Sequence, residues 1–423
     1  MKLTTVILTG LVFCSAATLS AQEKKNEFAI DAQLRTRAEY RNGALLPRLE
    51  GELPAFFINN RARFALGYKR ERLQMKLAAQ HVGVWGQDPQ IDKNGRFILH
   101  EAWARLDLGK GTFAQLGRQP LVYDDERLLG SLDWNVAGRF HDALKLGYEN
   151  KLHRVHLVLA FNQNNEGTKG TFYDIMNAQP YKAMQTAWYN GKWASNFDAS
   201  LLFMNVGYET GTKDKGETKY MQTAGTYLTY TPGRWTLNGS AYYQFGKRKV
   251  DKEVKKVSAY MFGVKAAYKI NDQWAVSVLT DYLSGDPTSD KVTTFDPLYG
   301  THHKFYGGMD YFYASAYNKG LWDKQLSVDF KPDSRWALSL NYHHFSTTYD
   351  VEASFGDEGR SLGSEIDFQV DYVVMKDVKL TLGYSTMLGT KYMDVVKGGD
   401  HSSWQDWGWI SLNINPRILF TKW

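Results

Sequence analysis

Apolar and polar residues alternate with period two in segments of about a dozen residues, and the turn signals between them recur about every 40 residues, two segments to a repeat; no other feature constrains the fold as tightly. In residues 27–40, Phe28, Ile30, Ala32, Leu34, Ala38 and Tyr40 share one side, and Asp31, Gln33, Arg35, Arg37 and Glu39 the other. Residues 56–69 repeat the pattern, with Phe56, Ile58, Ala62, Phe64, Leu66 and Tyr68 facing away from Asn59, Arg61, Arg63 and Lys69. Successive side chains of a strand point to opposite faces, so each segment has one face suited to lipid and one to water. Later segments behave alike: Ile366, Phe368, Val370, Tyr372 and Val374 oppose Glu365, Asp367, Gln369 and Asp371.

Turn signals set the strand count. They fall at Arg70-Glu71, Gly109-Lys110-Gly111, Asn150-Lys151, Gly191-Lys192, Pro232-Gly233, Asn271-Asp272, Pro332-Asp333 and Lys376-Asp377. Each repeat of about 40 residues accommodates two bilayer-length strands, one tight turn and one longer loop. Eight turns join sixteen strands; the first and last strands make eighteen, with nine longer loops. The expected fold is therefore all-β: a single transmembrane antiparallel β-barrel of about 18 strands with long extracellular loops. Trp235, Trp274 and Trp336 each follow a tight turn, which predicts indoles at the periplasmic interface. Near the C-terminus Pro416 interrupts the final alternation and predicts a bulge.

Composition enters as a check. Aromatic residues make up 14% of the chain, yet mean hydropathy is −0.45. A barrel combines these properties because aromatic girdles and an apolar outer face alternate with a polar lumen. Residues 1–21 read as a secretory signal peptide, with Lys2, the apolar run Val6–Phe13 and a small-residue site before Gln22; residues 22–423 would form the barrel. The only cysteine, Cys14, lies in that leader, and Val12-Phe13 before it does not make a lipobox, so a mature protein without thiols is expected.

Two loops stand out by length, about Pro120–Gly138 and Ser284–Gly320, and their aromatic content predicts ordered loops folded over or into the pore. The first runs through Gly117-Arg118-Gln119, Tyr123 with Asp125 and Arg127, Asp133-Trp134, and Gly138-Arg139 leading into Asp142. This stretch resembles the alginate export family of outer-membrane β-barrels, and Phe295–Phe312 looks like that family's other long loop. The resemblance implies passage of a polyanion carrying one carboxylate per sugar. It also implies that Arg118, Arg127 and Arg139 add to a positive constriction, with Asp125 and Asp142 orienting them. Tyr123 and Trp134 would stack on sugar faces or pack the loop against the wall.

The residues make a parallel case. Of 19 arginines, 13 lie between Arg35 and Arg139. Arg35, Arg37, Arg61, Arg63 and Arg105 occupy the polar parity of their strands; permanently charged, fork-shaped guanidiniums in a narrow lumen attract carboxylates. The competing reading pairs them with lumenal Asp31, Glu39, Glu101 and Asp107 as structural filling.

Other motifs carry less. His302-His303 and His343-His344 would place neighbouring rings on opposite faces of a strand and lack partners at ligand spacing, so no metal or other cofactor is expected. Asp124-Asp125-Glu126 reads as a solvated acidic run, and Gly359-Arg360-Ser361-Leu362-Gly363 lacks the strand-to-helix context of a nucleophile elbow. No catalytic residue is assigned. The expected protein is a monomeric channel in the cell outer membrane, contacting lipid and an anionic polysaccharide or oligosaccharide, and no nucleic acid. Its alternatives are a general or sugar-selective diffusion porin and, in another class, a barrel enzyme such as an outer-membrane phospholipase.

Overall fold

The computed structural model describes residues 26–88, 97–176, 178–251, 253–312, 319–349 and 360–423; the leader and Cys14 lie outside them. The strands are β1 (Glu27–Asn42), β2 (Ala55–Arg70), β3 (Leu73–Val84), β4 (Phe97–Gly109), β5 (Thr112–Gln119), β6 (His141–Glu149), β7 (His153–Phe161), β8 (Ala183–Ala194) and β9 (Phe197–Glu209). They continue as β10 (Thr218–Tyr230), β11 (Trp235–Val250), β12 (Glu253–Lys269), β13 (Trp274–Leu283), β14 (Leu321–Phe330), β15 (Trp336–Ser346), β16 (Ser361–Met375), β17 (Val378–Gly389) and β18 (Gln405–Ile414, resuming as Arg417–Lys422). Each is antiparallel to its neighbours, and β1 bonds both to β2 and to the two halves of β18, so the sheet closes into an eighteen-stranded barrel. No helix among the described residues is long and apolar enough to cross a membrane; the strands cross it.

The break in β18 falls at Pro416, which has no N–H to give the ladder. Its carbonyl accepts from Ala32 N at 3.1 Å, and β1 shifts register between Ile30 and Asp31. The alternation sorts the faces as expected: Leu34, Phe64 and Ile410 are exposed on the outer wall, while Glu39 and Arg61 are buried inside. Trp235, Trp274 and Trp336 open their strands on the outer face and meet Tyr268, Phe330 and Tyr372 across the ladder at ring separations of 4.8, 4.2 and 4.4 Å. These pairs form an aromatic belt at the tight-turn end.

Two turn expectations are corrected. Gly191-Lys192 lies inside β8, and the turn follows at residues 195–196. A Cβ at Gly191 would meet the Tyr189 hydroxyl at 2.4 Å. The sixth outer connection is a tight hairpin in which Val250 pairs with Glu253, so eight outer connections are longer loops.

The lumen departs from a uniformly polar lining. On β7–β12, Val158, Met184, Leu202, Met204, Val206, Met221 and Met261 are buried on the inner face. They form a seat for two inserted loops. Loop 3 (residues 120–140) and loop 7 (residues 284–320) bring Leu121, Leu128, Leu129, Phe295, Tyr299, Tyr306 and Tyr311 into the same buried cluster. The loops also bond to each other: Gly130 N donates to Tyr299 O at 2.9 Å, Tyr299 N to Leu128 O at 2.9 Å, and Thr301 N to Glu126 O at 2.9 Å. Residues 120–140 and 284–312 are one folded plug inside the barrel, as the aromatic content of the two loops predicts.

Candidate functional site: an arginine wall and a two-loop plug

Along β1 and β2 the lumen is lined by Arg35, Arg37, Arg61 and Arg63, and the register sets Arg35 directly opposite Arg61. Like charges in that position repel. Loop 3 answers them. Asp133 accepts from Arg35 Nη1 at 3.2 Å and from Arg61 Nη2 at 2.9 Å. The next carbonyls follow in sequence: Trp134 O accepts from Arg37 at 3.0 Å, Asn135 O from Arg35 at 3.1 Å, Val136 O from Arg61 at 3.4 Å, and Ala137 O from Gln80 at 2.7 Å. The loop is thus strung along the wall. Arg63 rests on Gln80 Oε1, at 2.9 and 2.6 Å, and Glu39 accepts from Arg37 at 2.8 Å and from Arg41 at 3.0 and 2.8 Å.

The competing pairing therefore holds for Glu39 alone. Asp31 bonds Arg417 at 2.9 Å, Glu101 bonds Lys76 at 2.7 Å, and Asp107 accepts from Gly109 N. Asp133 is the partner that sequence parity missed, because it lies on a loop without strand phase. Below the wall is a cavity of about 630 Å³ whose charged lining is balanced, Arg61, Arg63, Lys76 and Arg417 against Asp31, Glu101, Asp133 and Asp377. Arg105 is lumenal but stands apart, four residues from the end of β4, paired with Glu149 at 3.2 Å and lying over the Phe113 ring.

Arg118 and Asp142 are corrected. Phe113, Gln115 and Gln119 mark the inner face of β5, so Arg118 lies outside with Leu116. There it forms a bidentate pair with Asp142, at 2.8 and 2.9 Å, and donates to Leu99 O at 3.0 Å. Neither residue lines the pore. Gly117 beside them is required by close approach, since a Cβ would lie 2.1 Å from Ala102 O.

Arg127 crosses to the far wall. It donates to Asp125 at 3.1 Å and to Asp281 of β13, and its guanidinium lies over Phe305. Burial opposes its charge, but Asp281 and Asp125 outweigh that and hold the guanidinium well above its ordinary value. Asp125 orients Arg127 as expected, yet the two carboxylates make the residue a tie, so it adds no net positive charge to a constriction. Arg139 is a tie as well, donating to Gly300 O at 2.7 Å.

Both loop aromatics are engaged by protein. Tyr123 bonds His156 Nδ1 at 3.2 Å and packs on Trp188. Trp134 stacks on His303 at 4.1 Å, lies under Arg37, and meets Trp407 and Trp409 edge-on.

The far wall is acidic. Asp281, Asp323 and Glu365 are buried on its inner face, and loop 7 docks there: Met309 N donates to Glu365 at 2.8 Å and Gly308 N to Asp367 at 3.3 Å. The polar parity of β16 foreshadowed Glu365 and Asp367 as lumenal, but not their service to the loop. His343 bonds Asp323 at 2.9 Å from the inner face, while its neighbour His344 bonds Ser364 at 3.2 Å, so the pair does splay across the sheet. His302 sits in a 3-10 turn and donates to Pro297 O; burial pulls its imidazole down to about 4.

A closed eighteen-stranded barrel with an aromatic belt and a charged, loop-lined lumen defines an outer-membrane channel of the porin type. A sequence profile of the alginate export family matches residues 25–389, and the chain belongs to that family. Comparison with curated protein sequences returns no match. Solved structures with a similar fold include OpdL of Pseudomonas aeruginosa, 12% identical with a TM-score of 0.63, covering 93% of this chain and 99% of that one. OpdK of the same organism, solved with vanillate, is 12% identical with a TM-score of 0.60 and covers 93% and 99%. A BenF-like porin from Pseudomonas fluorescens Pf-5 is 13% identical with a TM-score of 0.60 and covers 92% and 99%. The family and the fold are those of transport channels, and the protein resides in the outer membrane.

Proposed function

We propose that the channel passes an anionic polysaccharide or its oligosaccharide fragments, drawn by the arginine wall and moving by diffusion. The observation that supports this reading most strongly is the charge balance at that wall. Arg35, Arg37, Arg41 and Arg61 are ion-paired by Glu39 and Asp133, with Asp310 acting on Arg37 and Glu101 on Arg63 from nearby, five cations against four anions. Guanidiniums stay protonated and offer a planar fork to each uronate carboxylate, so a net positive wall in a confined lumen favours polyanions.

A second reading, a porin for small carboxylates, draws on the plug. Loops 3 and 7 divide the lumen, leaving a cavity of about 630 Å³ at the arginine wall, a size suited to a short solute. The same experiment separates the two. Purified protein is inserted into a planar bilayer under a salt gradient, the reversal potential is measured, and mono-, tri- and longer oligouronates are added. The polysaccharide reading expects anion selectivity and block that strengthens with chain length, both weakened in Arg61→Ala/Arg63→Ala. Block that peaks at the monomer supports the small-solute porin, and cation selectivity sinks both.

A further inference from the structure

Four to eight strands around the ring from the arginine wall, the lumen changes character. Between the aromatic belt and the Arg127–Asp281 tie, β11, β13, β14 and β15 present a band of uncharged hydrogen-bonding side chains: Asn238, Ser240, Ser277, Gln325, Ser339 and Asn341. Register makes the band continuous, with Ser277 opposite Ser327 and Ser327 opposite Asn341. It encloses a cavity of about 380 Å³, roofed by Lys304 and Phe305 of loop 7.

Filling a barrel wall does not call for this composition. Charge enters the band at two points, Lys265 facing Asn238 across the ladder and Asp329 facing Ser339, with Arg127 and Asp125 above, yet amides and hydroxyls are the larger share of the polar side chains lining the cavity. Amide and hydroxyl groups each donate and accept. Gln325 shows the habit, donating to Ser327 Oγ at 3.0 Å and to Asn341 Oδ1 at 3.2 Å. A sugar hydroxyl is likewise donor and acceptor, so a row of such groups matches the edge of a pyranose and is indifferent to its charge. Leu279, with Phe305 covered on one face by Arg127, supplies the apolar part of the lining that a ring's C–H face requires.

We propose that this band is a second saccharide-binding subsite, one that takes the hydroxyl edges of a sugar chain while the arginine wall takes carboxylates. The proposal rests on the reading that the lumen carries a saccharide, and it adds that uncharged oligosaccharides bind too.

The test uses the full-length protein in a planar bilayer with maltopentaose, an uncharged probe, and reads the half-blocking concentration and the reversal potential together. Wild type is expected to be blocked. Asn341→Leu should raise the half-blocking concentration about fivefold, the scale of a lost pair of neutral hydrogen bonds. The milder triple variant Ser240→Ala/Ser277→Ala/Ser339→Ala, which removes only hydroxyls, should raise it about threefold. Neither should move the reversal potential, and Arg61→Ala/Arg63→Ala should leave maltopentaose block unchanged. Absence of block in wild type, or equal block in wild type and both band variants, overturns the subsite. The polyanion reading fails by a different signal, the sign of the reversal potential.

Discussion

Asp133 is the smallest part on which the arginine wall depends. It joins Arg35 and Arg61 although it is itself more than half exposed, so it screens two guanidiniums without being locked into the wall. Asp133→Asn should therefore raise anion selectivity about twofold while the barrel stays folded, read as a shift of the reversal potential at low salt, where surface charges are least screened. A shift towards cations would mean that Asp133 orients the arginines more than it neutralises them. Arg127 differs because its partner Asp281 is fully buried. Arg127→Ala leaves that carboxylate uncompensated and should cost about 3–5 kcal/mol. Loop 3 should then detach, seen as a lower Tm and a noisier, larger single-channel current.

At the scale of elements, loop 7 answers to pH through His302. The folded value of about 4 lies below the ordinary value of 6.5, so the neutral ring's contribution is complete above 6.5 and is lost as pH falls through about 4. The loss amounts to about 1.4 kcal/mol for each pH unit crossed. Arg139, Asp296 and Asp310 face the ring; Arg139 disfavours its protonation and the two carboxylates favour it. Protection factors across residues 298–312, corrected for the intrinsic pH dependence of amide exchange, should fall as pH drops from 6.5 to 4, more in wild type than in His302→Gln. Equal pH dependence in both would assign the effect to the carboxylates of the far wall. Legibility also divided by element. Long strands with one charged face declared themselves, and Arg35, Arg37, Arg61, Arg63 and the three strand-opening tryptophans fell where parity put them. The strands β5 and β6 span only 8 and 9 residues and carry apolar side chains on both faces, Phe113 inside and Leu116 outside, so nothing in their pattern could tell that Arg118 and Asp142 point to the exterior. Loop ties such as Asp133 to Arg61 and Met309 to Glu365 join residues 72 and 56 apart, and no periodicity reaches that far.

For the whole molecule, barrel and plug are separable in energy. The ladder closes independently of loops 3 and 7, whose hold on it is an apolar seat and a handful of ties. Replacing both loops by short Gly-Ser connections should leave a heat-modifiable barrel on gels and raise conductance severalfold, with selectivity reduced because the lumen widens and the carbonyls that array the arginines are gone. Unchanged conductance would show that the narrowest passage lies elsewhere. The seam has a further consequence, in the order of events during biogenesis. Gln33 on β1 bonds Asn413, 380 residues later, so the strand bearing Arg35 and Arg37 has one neighbour almost at once and the other only when β18 arrives. Throughout synthesis and export that edge stays open, a long-range pairing of the slowest kind and an invitation to wrong partners. The residues of β18 are the ones that close the wall bearing Arg35 and Arg37, and a chain stopped before Gln405 has no way to complete it.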